Sequence, residues 1–189
     1  ICSIIKNKNY GSKYNMPDFK TEKILQNFVI CIFAQNNLYM KRIAIFASGG
    51  GTNAEKIIEK CRENVALIVC NKPDAGVIDV AKKNNVPFII IDKKYFYQTE
   101  DIVAELQKHR VDFIVLAGFL WMIPQYLINH FRKNIINIHP ALLPKYGGKG
   151  MYGMNVHKAV IDAGEKESGI TIHYVNEKYE EGKIIFQAT

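Results

Sequence analysis

The sequence predicts an α/β fold: a doubly wound, mostly parallel sheet with helices on both faces and a mixed or antiparallel C-terminal edge. Three observations carry this reading. From residue 40 onward, short runs rich in Ile and Val alternate with amphipathic stretches. The first such run leads straight into a glycine-rich turn that opens a helix. Near the end the alternation stops, and two apolar runs follow one another across a short polar connection.

The elements follow in order. Residues 43–47, IAIFA, form an apolar run after a charged start at Lys41 and Arg42, the pattern of a strand buried on both faces. Residues 66–71, 88–92, 113–118 and 135–139 repeat the pattern, each too short and too β-branched for a helix. The helical period fits residues 53–62, 77–84, 100–108 and 124–131 between them. Strands separated by helices make parallel crossovers, which place helices on both faces. Residues 170–175 and 183–187 read as strands, and only residues 176–182 separate them. That distance suits an antiparallel return and no crossover helix.

Length and composition fit one domain. The 189 residues carry 48% hydrophobic and 23% charged residues, as in an ordinary globular protein. The net charge of +7 comes from scattered lysines rather than one basic helix face, which argues against a nucleic-acid surface. The four cysteines, Cys2, Cys31, Cys61 and Cys70, form no C-x-x-C pair and no metal spacing, so free thiols in a reducing, cytoplasmic compartment are expected. No apolar stretch reaches membrane-spanning length, and residues 27–33 make a poor signal peptide. Residues 1–39, rich in Lys, Asn and Tyr and without sustained periodicity, are expected to be a disordered or non-native extension. Met40 is expected to start the domain, which spans 40–189.

Three motifs carry chemistry. The first is Ser48-Gly49-Gly50-Gly51-Thr52-Asn53 after the first strand. Glycines let backbone N–H groups approach an anion, and a helix N-terminus favours negative charge. Asn53 is the expected N-cap. Gly49, Gly51 and Ala54 satisfy the Rossmann-like G-x-G-x-x-A, yet the second strand ends at Asn71 rather than at the acidic residue a dinucleotide ribose needs. A single-phosphate site is therefore expected. The second motif, residues 116–122, puts Gly118 and large apolar residues at the carboxyl end of the fourth strand, where ligands bind in open α/β sheets. The third is Asn137-Ile138-His139-Pro140. Alternation points Asn137 and His139 to the same side, and Pro140 ends the strand. An amide donor beside an imidazole can hold an oxyanion and move a proton.

Taken together, Gly-Gly-Gly-Thr-Asn, Leu-Ala-Gly-Phe, Asn-Ile-His-Pro-Ala-Leu-Leu-Pro and Gly-Gly-Lys-Gly-Met-Tyr-Gly resemble the glycinamide ribonucleotide formyltransferases, a branch of the folate-dependent formyltransferases. The match runs from residue 40 to the end. The resemblance implies formyl transfer from 10-formyltetrahydrofolate to the amine of glycinamide ribonucleotide in purine biosynthesis. It involves no metal, no nucleic acid and no membrane, and a monomer or homodimer. By that resemblance Gly51, Thr52 and Asn53 hold the substrate phosphate. Gly118, Phe119, Leu120 and Trp121 line the folate site, where many relatives carry arginine at the position of Trp121. Lys145 and His157 lie near substrate, His157 at the start of a helix after the glycine-rich loop. Asn137 and His139 are catalytic, with Glu180 in the place of the family's third catalytic residue, an aspartate. The family continues past the strand ending at Gln187, so a C-terminal truncation is expected. Two alternatives stay open: a related formyltransferase acting on another amine, or an inactive truncated nucleotide-binding homologue.

Overall fold

A computed structural model describes residues 41–148, 150–176 and 182–189. The expected extension at 1–39 and Glu180 lie outside these. The described chain builds β1 (Ile43–Ala47), α1 (Thr52–Cys61), β2 (Val65–Cys70), α2 (Val77–Lys83) and β3 (Phe88–Ile90). Next come α3 (Lys93–Tyr97), α4 (Asp101–Lys108), β4 (Phe113–Leu116), α5 (Gln125–His130) and β5 (Ile135–His139). The last three are α6 (Met154–Asp162), β6 (Ile170–Tyr174) and β7 (Ile184–Ala188). The strands form one sheet ordered β3-β2-β1-β4-β5-β6-β7. The first five strands in that row pair in parallel, while β5–β6 and β6–β7 are antiparallel. The sheet is thus doubly wound with an antiparallel C-terminal edge.

Strand alternation divides the core. Ile43, Ile45 and Ala47 of β1 face Ile57 and Ile58 of α1 and Val77 and Ala81 of α2. Ala44 and Phe46 face Phe96 of α3, Ile102 and Leu106 of α4, and Leu127 of α5. Every residue of β1 is fully buried, which explains its uninterrupted apolar run.

Two elements depart from the sequence reading. The third strand stops at Ile90, and Asp92 caps α3 by accepting a hydrogen bond from the Tyr95 amide at 2.7 Å. A five-residue helix is too short to reveal its period. Helix α6 carries no clear helical period in the sequence, and only the resemblance implies it. Its apolar face is narrow, with Val156 and Val160 alone fully packed, against Ala141.

Candidate active site

The strand order reverses between β1 and β4, so the crevice beyond their carboxyl ends is a topological switch point. Ser48 ties its two sides together. The Ser48 amide donates to the Gly118 carbonyl at 3.1 Å, and Ser48 Oγ accepts from the Leu120 amide at 2.9 Å. Sequence reasoning treated Ser48 as the edge of a motif. Its 2% exposure and two cross-loop bonds make it the clamp between the glycine turn and the 118–121 segment.

The glycine turn corrects one expectation. Helix α1 begins at Thr52, its N-cap is Gly51, and Asn53 sits inside the first turn with no side-chain cap. Gly51 is required twice over: its φ is 81°, and a Cβ there would lie 2.7 Å from the Val77 Cα. The amide of Val77 in turn donates to the Gly49 carbonyl at 3.1 Å. The close approach of α2 thereby sets the path of the turn. The first amides of α1, at Thr52 and Asn53, have no partners within the helix, which suits an anion.

Asn137 and His139 lie on the same face of β5, and antiparallel pairing puts His173 and Thr171 of β6 opposite them. The His173 Nδ1–H donates to the Tyr174 carbonyl at 3.0 Å, since that oxygen can only accept. Its Nε2 therefore accepts from Asn137 Nδ2 at 3.2 Å, which fixes the orientation of the amide. The His139 Nε2–H likewise donates to the Tyr146 carbonyl at 2.9 Å. This contact fixes the orientation of the ring. His139 is only 2% exposed. Thr171 holds the segment beyond Pro140. Its hydroxyl donates to the Ala141 carbonyl at 2.6 Å and accepts from the Leu143 amide at 2.9 Å and from Gln187 Nε2 at 2.8 Å.

His173 and Thr171 were missed in the sequence, although both stand in the run read as the sixth strand. Their meaning depends on register against β5, which one chain's pattern does not disclose. His157 is on α6, as the resemblance implies. Burial above all, with nearby positive charge including that of His139 adding to it, pushes His157 below its ordinary value. Lys145 turns to Glu165, with Nζ 2.8 Å from Oε1. Phe119 stacks edge-on against Phe46 at 5.3 Å, and Trp121 packs within 5.8 Å of Phe96 and 6.0 Å of Tyr97. Phe119, Leu120 and Trp121 remain half-buried at the crevice. Trp121 thus serves the core on one side and offers apolar surface on the other. Glu180 lies outside the described residues.

A doubly wound sheet with an Asn and a His at the mouth of one strand, and a glycine turn after another, is an α/β fold with its candidate ligand crevice at the carboxyl ends of the strands. Residues 41–189 match the formyl transferase family model, and the chain belongs to that family. It is 45% identical over 158 residues to the chloroplastic phosphoribosylglycinamide formyltransferase of Arabidopsis thaliana, covering 78% of this chain and 54% of that protein. It is 37% identical over 158 residues to the phosphoribosylglycinamide formyltransferase of Haemophilus influenzae, covering 79% of this chain and 72% of that one. The crystal structure of glycinamide ribonucleotide transformylase 1 from Geobacillus kaustophilus superposes with a TM-score of 0.70 at 36% identity, over 79% of this chain and 81% of that chain. The chain spans about half the length of the plant relatives it matches.

Proposed function

We propose that this chain transfers a formyl group from 10-formyltetrahydrofolate to the amine of glycinamide ribonucleotide in purine biosynthesis. The observation that carries the reading is the fixed pair on β5: the amide of Asn137 is oriented by His173, and the imidazole of His139 by the Tyr146 carbonyl. The names of the relatives supply the amine substrate and the formyl transfer, the resemblance supplies the folate donor, and the glycine turn is consistent with a phosphate-bearing substrate.

The folate supplies an N-linked formyl group, and the half-buried shelf of Phe119, Leu120 and Trp121, next to exposed Gly118, suits its flat ring system. The Thr52 and Asn53 amides at the start of α1 would hold the phosphate of the amine substrate. As the amine adds to the formyl carbon, negative charge grows on the formyl oxygen. An N–H of Asn137 and protonated Nδ1 of His139 would stabilise it. Glu180 is the acid proposed to hold His139 as the imidazolium and to relay the amine proton, through water, to the folate nitrogen, which leaves as the tetrahedral intermediate collapses and its bond to the formyl carbon breaks.

The test is turnover with both substrates, followed by the absorbance of the deformylated folate. His139→Ala and Asn137→Ala should each lower kcat by roughly two orders of magnitude or more, as loss of an oxyanion donor does. Near-normal turnover in either variant sinks the assignment.

A further inference from the structure

The contact that fixes His139 has an origin of its own. Its acceptor, the Tyr146 carbonyl, belongs to a residue with φ 57°, a left-handed backbone that a side chain with a Cβ seldom adopts unless its surroundings impose it. Two observations identify what imposes it. The Tyr146 ring packs against Ala141, Val156 and Val160, joining this loop to α6. Its hydroxyl donates to Glu165 Oε1 at 2.8 Å, the same oxygen that Lys145 Nζ reaches at 2.8 Å. Two consecutive residues are therefore tied to one carboxylate oxygen.

Glu165 is itself held in place. Helix α6 ends in a Schellman motif, with Gly164 at φ 66° donating to the Ile161 carbonyl at 2.9 Å and the Glu165 amide donating to the Val160 carbonyl at 3.3 Å. The carboxylate is thus carried by a defined helix end rather than a wandering surface side chain. Both donors hold it below its ordinary carboxylate range, Lys145 more strongly than Tyr146. An isolated exposed ion pair contributes little to stability. Here its consequence is geometric.

We infer that Glu165 is a positioning residue for formyl transfer: through Lys145 and the Tyr146 hydroxyl it locks Tyr146 in the left-handed conformation that aims its carbonyl at His139 Nε2. That carbonyl selects the Nε2–H tautomer and leaves Nδ1 to carry the mobile proton. The inference rests on the catalytic reading of His139 for its effect on rate, though not for its effect on the tautomer. No part of Glu165 needs to touch substrate.

The test uses the full chain labelled with 15N-histidine, with the His139 tautomer read from long-range proton–nitrogen correlations. Wild type should show His139 as the Nε2–H form. Glu165→Ala and Tyr146→Phe should each give a mixture of tautomers. Each should lower kcat roughly tenfold, in keeping with the sensitivity of rate to small misplacements, while KM for either substrate changes by less than about twofold. The double variant should be little worse than either single one, because both break the same strap. His139 remaining wholly Nε2–H in both single variants overturns the proposal, whatever happens to turnover. If His139→Ala instead keeps wild-type turnover, the catalytic reading fails and the tautomer measurement still judges the strap.

Discussion

Replacing Gly51 with alanine tests the proposed phosphate turn against two built-in controls. At φ 81° an L-residue meets its own carbonyl, at a cost of about 1–2 kcal/mol. The added Cβ would also lie 2.7 Å from the Val77 Cα, against 3.4 Å for ordinary contact. One backbone must therefore retreat by about 0.7 Å. The obstacle is backbone, so no rotamer change relieves it, and α2 must move with it. Together the two effects should destabilise the fold by about 2–4 kcal/mol, within the range for a strained backbone site. The shift falls on the amides of Thr52 and Asn53. A displacement approaching an ångström should therefore raise KM for the phosphate-bearing substrate by roughly tenfold to a hundredfold. KM for the folate should move far less. Gly49→Ala and Gly50→Ala are the controls: neither has positive φ, and a Cβ at either meets nothing within 4 Å. Thermal unfolding and steady-state kinetics on the three variants decide the matter. If all three behave alike, the close approach of α2 does not set the turn.

Thr171→Val keeps the side chain's shape but takes the hydroxyl from the Leu143 amide, the Ala141 carbonyl and Gln187. Stranding those buried groups should destabilise the protein by about 2–4 kcal/mol, seen as a lower Tm, and lower kcat by loosening the segment after Pro140. An unchanged Tm would mean that the loop does not depend on β6. A different prediction concerns Cys61, whose thiol burial pushes from 9.0 up to about 11, with Lys60 opposing. The folded value lies above the unfolded one, so the stabilisation is complete below about pH 9. It is lost as pH rises through 11 and amounts to about 2–3 kcal/mol. Unfolding of wild type and Cys61→Ala at pH 8 and pH 11 should show the smaller alkaline loss in the variant; equal losses would refute the assignment.

How much of this was legible in the sequence depends on whether a signal is local. The fully buried β1 announces itself because burial on both faces needs an unbroken apolar run. The glycine turn is visible because Gly51 answers a backbone demand that few other residues can meet. Asn137 and His139 show as a pair because two-residue spacing alone puts them on one face. What stayed hidden is what these residues lean on. His173 orients Asn137 only because β6 returns antiparallel with that residue opposite, and a one-residue slip would turn it to the other face. Tyr146 holds His139 through a carbonyl, a group every residue possesses, so its identity carries no mark of that role. Asn53 looked like a helix cap because it is a favoured one; Gly51 took the position because the approach of Val77 leaves no room for a side chain there. The proposed reacting groups were thus readable by chemical type, whereas their supports come from register, backbone carbonyls and helix ends brought together only by folding. A sequence that keeps Asn137 and His139 and alters Glu165, Tyr146 or Thr171 would still look catalytic, and the variants above measure how far that appearance departs from activity.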